Sequence, residues 1–135
     1  MTFGATTDSR IEAPGRSEAV KWLVNRIEDR FGNYMTVTYS ESSGVGYPAR
    51  IDYTGNAAQG VSPYNSVQFA YEARPDPVQT YMFGSEYRAD LRMSAVRTYA
   101  GQTLIREYRL TYQGDATGAS RLTQLQEGAG EGDHA

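Results

Sequence analysis

The sequence contains no cysteine, which excludes disulfides, thiolate metal sites and a cysteine nucleophile while leaving secretion open. It has a single histidine, His134, next to last in a glycine-rich tail. From there it cannot be held within hydrogen-bond reach of a nucleophile, so a serine–histidine arrangement is not expected. Lysine is almost absent too, with only Lys21 against twelve arginines. Acidic residues outnumber basic ones by 16 to 13, for a net charge of -3, and no basic stripe is present, so no nucleic-acid partner is expected. No apolar run approaches the roughly 18 residues of a membrane-spanning helix, and direct membrane insertion is not expected. The opening residues, MTFGATTDSRIEAPGRS, lack the apolar stretch of a cleavable signal peptide. A phosphate-cradling G-x-x-x-x-G-K motif is also missing.

What the chain does have is a globular composition, 39% hydrophobic and 21% charged, over 135 residues, which fits one domain. A chain of this size buries roughly 70% of its unfolded surface. There are 11 tyrosines. The arginine bias reads either as GC-rich coding or as guanidinium planes stacked on tyrosine rings, a role lysine fills less well.

The pattern along the chain is that of an all-β protein: an antiparallel meander of about seven to eight strands, forming a curved sheet or part of a β shell or sandwich. Residues 1–18 read as an irregular N-terminal segment, 19–127 as a single antiparallel β domain, and 128–135 as a flexible tail. Val20 to Ile27 reads as one strand rich in β-formers. Tyr34 to Tyr39 alternates, with Met35, Val37 and Tyr39 on one face. Ser42 to Gly46 reads as a loop, Ala49 to Tyr53 as a short strand closed by Thr54-Gly55-Asn56, and Ser66 to Glu72 as a further strand. Arg74-Pro75-Asp76-Pro77 is expected to break that strand, because proline cannot donate to a ladder. Gln79 to Phe83 and Leu91 to Tyr99 follow; the phase of the latter shifts near Ala95, where a bulge fits. After a tight turn at Ala100-Gly101-Gln102, Leu104, Tyr108, Leu110 and Tyr112 share a face opposite Ile105, Glu107, Arg109 and Thr111. Ser120 to Gln126 reads as a last strand or the start of a helix.

Four strands end alike, as apolar-x-Tyr-polar: Val37 to Ser40, Ile51 to Thr54, Phe69 to Glu72 and Leu110 to Gln113. Paired in one sheet, Tyr39, Tyr53, Tyr71 and Tyr112 would form a band, either a sheet-edge core or an aromatic platform for sugar or peptide. Trp22 is expected to be a core anchor rather than a ligand-stacking ring.

The stretch RIEDRFGNYMTVTYSE, residues 26–41, holds the best candidate site. Asp29 and Asn33 could offer oxygen to calcium, but two oxygens are too few for a full calcium loop. Glu28 and Asp29 are adjacent and point to opposite faces of a strand, the wrong arrangement for a paired-carboxylate site. The stretch therefore reads as a hairpin turn: Gly32 supplies positive φ, Asp29 caps backbone N–H groups, and Phe31 packs over the sheet edge. No catalytic, cofactor-binding or metal residue is assigned, and no cofactor is expected. A pocket lined by Asp29, Glu72 and Asp76 would change that.

The ordered series Trp22-x-x-x-Arg26-Ile27-x-Asp29-x-x-Gly32-Asn33, then Arg50-Ile51-Asp52-Tyr53-Thr54, Val67-x-Phe69-x-Tyr71-Glu72-x-Arg74-x-Asp76, Arg106-x-Tyr108-x-Leu110-x-Tyr112 and Ser120-Arg121-Leu122 resembles the N-terminal domain of the virulence-plasmid B (SpvB-like) family. The B component of the insecticidal toxin complexes shares that domain. The resemblance spans roughly residues 10 to 127; a more distant one is to the tyrosine-rich repeats of Rhs proteins. It implies a non-catalytic structural and interaction module of a large secreted toxin. In that family the B component helps build a β shell around a toxic C-terminal region. Actin ADP-ribosylation belongs to a separate domain, whose Glu-x-Glu signature is absent from this chain. The implied partners are other segments of the same toxin polypeptide or toxin-complex subunits, and the implied location is extracellular. An isolated segment is also expected to self-associate through open strand edges. The competing reading is a secreted carbohydrate- or protein-binding β module using exposed Tyr and Trp faces.

Overall fold

The computed structural model describes residues 1–130. It is all-β and antiparallel, as expected, with no α-helix among the described residues. Eight strands form the main sheet in the order β1 (Thr2–Phe3), β4 (Val24–Glu28), β5 (Asn33–Ser42), β6 (Val45–Asn56), β7 (Asn65–Met82), β8 (Ser85–Ala100), β9 (Thr103–Gly114) and β10 (Ser120–Ala129). From β4 onward each strand pairs with the next in the chain, which makes a meander. A second sheet pairs β2 (Arg10–Glu12) with β3 (Ala19–Trp22).

Turn chemistry sets the hairpins. Ser43 and Gly44, and again Phe83 and Gly84, are two-residue turns with positive φ at both positions, the twist that suits antiparallel strands. The expected loop at 42–46 is thus only Ser43 and Gly44.

Several other expectations need correction. The strand expected over Val20 to Ile27 is cut at Leu23, whose N–H donates to Ser9 and whose carbonyl accepts from Gly4. The inserted N-terminal segment takes these bonds, so β3 and β4 join different sheets. Residues 1–18 are not irregular: they carry β1, a 3-10 turn at Thr7–Ser9 and β2. The prolines do not break β7. Register passes from Ala73↔Leu91 to Val78↔Ala89, so Arg74 to Pro77 bulge out of the ladder, where no proline N–H is needed. The bulge expected near Ala95 is present, with Ser94 as the extra residue between Ala70↔Ala95 and Tyr71↔Met93. Ser120 to Gln126 is strand, and β10 runs on through Gly128 and Ala129, so the flexible tail expected from residue 128 does not begin there. His134 lies outside the described residues.

Alternation and register put Met35, Val37, Ile51, Val67, Phe69 and Val96 on one face of the main sheet. Arg26, Arg50, Asp52, Gln68, Arg97 and Glu107 lie on the other. All six apolar residues are only half-buried. Among the described residues the buried apolar ones are Ile11, Ala13, Tyr47, Tyr87 and Ala95. The first four gather where the β2–β3 sheet meets the ends of the β5–β6 and β7–β8 hairpins. Backbone comes close there: a Cβ on Gly46 would lie 2.6 Å from Leu23 and 2.7 Å from Ile11, and one on Gly44 2.7 Å from Tyr87. The N-terminal segment therefore supplies the centre of the core.

Candidate functional site

The Asp29 turn is a closed hydrogen-bond unit. One Asp29 carboxylate oxygen accepts the N–H groups of Phe31 (2.8 Å) and Asn33 (3.0 Å), and the other accepts the Asn33 side-chain amide (2.9 Å). The Asn33 side-chain oxygen accepts from the Asn56 amide at 2.8 Å. The side-chain oxygens that a cation would need are thus occupied by donors. These bonds, the Asn33 side chain first, hold the Asp29 carboxyl below its ordinary pKa. Gly32 sits at φ +84, and a Cβ there would lie 2.9 Å from the backbone nitrogen of Ala58. Phe31 does not pack over the sheet edge; it is exposed, with the Arg30 guanidinium 4.8 Å from its ring centre. Beside the turn lies an open concavity of about 310 Å³, lined by Ile27, Tyr34, Met35 and Gly55 together with Asp29, Asn33 and Thr54.

The same turn recurs at Asp115 to Ala119, between β9 and β10. Asp115 accepts the N–H groups of Thr117 (2.7 Å) and Ala119 (3.0 Å), and Gly118 has φ +86. Both turns carry the spacing D-x-x-G, at 29–32 and 115–118, but the same spacing at 52–55 lies inside β6, so it marks a turn only where the strand pattern breaks off.

Glu72 and Asp76 do come together, but with arginines and away from Asp29. Asp76 pairs with Arg74 at 3.2 Å and accepts the Ser120 N–H at 2.6 Å and the Ser120 hydroxyl. Arg92 binds the Glu72 carboxylate at 2.6 Å and the Ser120 hydroxyl at 2.8 Å, and its guanidinium lies 4.5 Å from the Tyr112 ring centre. Arg74 and then Ser120 hold the Asp76 carboxyl far below the usual carboxylate range. This network ties the proline bulge of β7 to the start of β10. On the polar face Glu107 is 4% exposed and is shared by Arg97 and Arg109, which, Arg97 first, lower its pKa. These carboxylates sit among cations that favour the charged form, an arrangement suited to cross-linking strands.

The four repeat tyrosines do not meet as a band. Each is half-buried, and three pin neighbouring backbone: Tyr39 donates to the Val24 carbonyl (2.8 Å), Tyr71 to Pro48 (2.7 Å) and Tyr112 to Met93 (2.6 Å). Tyr71 meets Tyr47 edge-on at 5.2 Å. Guanidinium stacking is present at Arg26 over Tyr34 (3.8 Å) and at Arg92 over Tyr112. Trp22 is no core anchor: it is 58% exposed.

No family model matches the sequence, and no curated protein does either. Solved structures do. The N-terminal domain of effector protein SpvB from Salmonella typhimurium strain LT2 superposes with a TM-score of 0.80 at 18% identity. That match covers 94% of this chain and 57% of that one. The TcdB2-TccC3-TEV structure superposes with a TM-score of 0.72 at 15% identity, covering 93% of this chain and 9% of that one. The chain therefore has the fold of just over half of the SpvB N-terminal domain, and a small part of the toxin-complex structure has the same fold.

Proposed function

We propose that the chain is a non-catalytic structural and interaction module of a large secreted bacterial toxin of the toxin-complex B type, contributing strands to the β shell around a toxic region. One observation carries this reading: the central apolar residues on one face of the main sheet are only partly covered, and the second sheet has just two strands. Met35, Val37, Ile51, Val67, Phe69 and Val96 all stay half-buried, and none of them is among the buried residues of the core. A sheet built this way functions as one layer of a larger wall. The partners it suits are further segments of the same polypeptide or toxin-complex subunits. The likeness to the effector domain and the toxin-complex structure supports that assignment.

The test is dye binding to the native state. The folded, cooperatively melting chain should bind the apolar dye ANS at neutral pH, and Phe69→Ser should weaken that binding. A native chain that binds no ANS would refute the open-wall reading. The outer edge of β10, with Leu122 and Leu125 exposed, is the expected site of edge-to-edge association, which Leu125→Lys should reduce in sedimentation. A second reading, a carbohydrate-binding module, is favoured by the exposure of Trp22 alone. A specific glycan-array signal lost in Trp22→Ala, with the fold intact, would establish it.

A further inference from the structure

We propose that Glu12 and Glu41 form a proton-operated clasp across the seam between the N-terminal segment and the main sheet. With both ionised, the pair pushes the segment off the sheet. With Glu41 protonated, the push is gone and the segment is held. The inference does not depend on the toxin reading.

The seam is where the centre of the core is made. Ile11 and Ala13 come from the segment and are buried, and Ile11 is received at the end of the β5–β6 hairpin. Glu41 belongs to that end. It pairs with Gly46 across the hairpin, and residues directly opposite in an antiparallel pair point to the same face. Gly46 fixes which face that is, since a Cβ there would lie 2.6 Å from Leu23 and 2.7 Å from Ile11. Glu41 is thus a carboxylate on the face that the segment covers. Tyr39, two residues before it on the same strand, donates its hydroxyl to the Val24 carbonyl (2.8 Å) and its N–H to Asp8 (2.8 Å). Glu12 follows Ile11 directly and brings the second carboxylate to the seam from the segment's side.

No cation answers the two carboxylates. Neither side chain has a hydrogen-bond or ion-pair partner among the described residues. The charged groups packed around them are committed elsewhere. Asp8, from the 3-10 turn, takes the Tyr39 N–H. Arg10, on β2, donates to the Gly4 carbonyl at 2.6 Å, and Lys21, on β3, lies 5.5 Å from the Tyr87 ring centre. On β8, Asp90 takes the Ser42 and Ser43 hydroxyls, and Arg88 shares its strand face, which meets Ser42 rather than Glu41. Burial first, and then the Glu12 charge, push the Glu41 carboxyl above its ordinary value.

Linkage sets the direction. A carboxyl raised in the folded state favours folding below the ordinary glutamate range and loses that contribution as pH rises through its folded value. The seam is therefore tightest in mild acid and loosens toward neutral pH. Asp29, Asp76, Glu107 and Asp115 act in the opposite sense, because their contributions are lost in acid. Both glutamates are exposed, so solvent protons reach them freely. Mild acid thus closes the N-terminal cover over the core before it weakens the rest of the sheet.

Two local readouts test this, and association through β10 enters neither. The Glu41 carboxyl carbon, followed by NMR, should titrate above the ordinary glutamate range and fall back toward it in Glu12→Gln. At neutral pH, Glu12→Gln and Glu41→Gln should each slow amide exchange at Leu23 and Tyr39 by about two- to fivefold, with Val67 and Val96 unchanged. The double variant should gain no more than either single one, because one lost charge already ends the repulsion. At about pH 4 native and variant chains should exchange alike. Glu86→Gln removes an equal charge from an exposed site on the far face of β8 and should change neither readout. A Glu41 titration indifferent to Glu12→Gln, seam amides that exchange as in the native chain at neutral pH, additive gains in the double variant, or an equal gain in Glu86→Gln would each overturn the proposal.

Discussion

Asp29 and Asp115 show how little sequence is needed to close a hairpin when a carboxylate can gather the N–H groups of its own turn. In both turns a glycine three residues on takes a left-handed conformation, but the surroundings differ. A Cβ at Gly32 would press on Ala58, whereas one at Gly118 would meet nothing within 4 Å. Gly32→Val should therefore destabilise by roughly 1–3 kcal/mol and Gly118→Val by about 1 kcal/mol, the strain of positive φ alone. Equal losses in denaturant melts would show that the Ala58 contact is inconsequential. Glu107 allows a test of sign. Its folded pKa is depressed, so its contribution is present above the ordinary glutamate range and is lost as pH falls through the folded value. Glu107→Gln should lower the melting temperature by a few degrees at neutral pH and leave a shallower decline on acidification. A variant with the native acid profile would place the acid sensitivity elsewhere.

Among the elements, β7 is the instructive one. Two prolines within three residues are a sound reason to expect a strand to end, and they do remove ladder donors. The chain keeps its direction because Arg74 to Pro77 leave the ladder together, and Asp76 uses the bulge to reach Ser120, 44 residues away. That latch holds the outer half of the β7–β8 hairpin against the start of β10. Asp76→Ala should speed amide hydrogen exchange at Ser120 and through Val78 to Ala89, while Val67 and Val96 keep their protection. Unchanged exchange at Ser120 would mean that the latch is not closed in solution. Alternation was legible wherever one face differs from the other, as in Tyr34 to Tyr39 and Leu104 to Tyr112. The proline bulge was not, because its partner is distant in sequence.

At the scale of the whole molecule, a small core and an open sheet make ion pairs and turn carboxylates a large share of what holds the strands. The pKa values of Asp29, Asp76, Glu107 and Asp115 are all lowered by their partners. Glu41 runs the other way, raised by burial and then by Glu12. With four depressed carboxyls against one raised among the described residues, stability should be flat above about pH 5 and fall steadily below the ordinary carboxylate range. Thermal melts across that range check this; a maximum at acid pH would contradict it.

The sequence alone determined the strand character, the Gly32 turn and the bulge at Ala95, because alternation, positive-φ residues and phase shifts are local properties of the chain. Tertiary structure decided where the core lies. Ile11 and Ala13 sit in a short segment with no period of its own, and they are buried only because two distant hairpins close over them. It also decided that Trp22 and Phe83 face outward and that Asp76 and Ser120 meet, since each of those outcomes depends on partners that no neighbouring residue specifies.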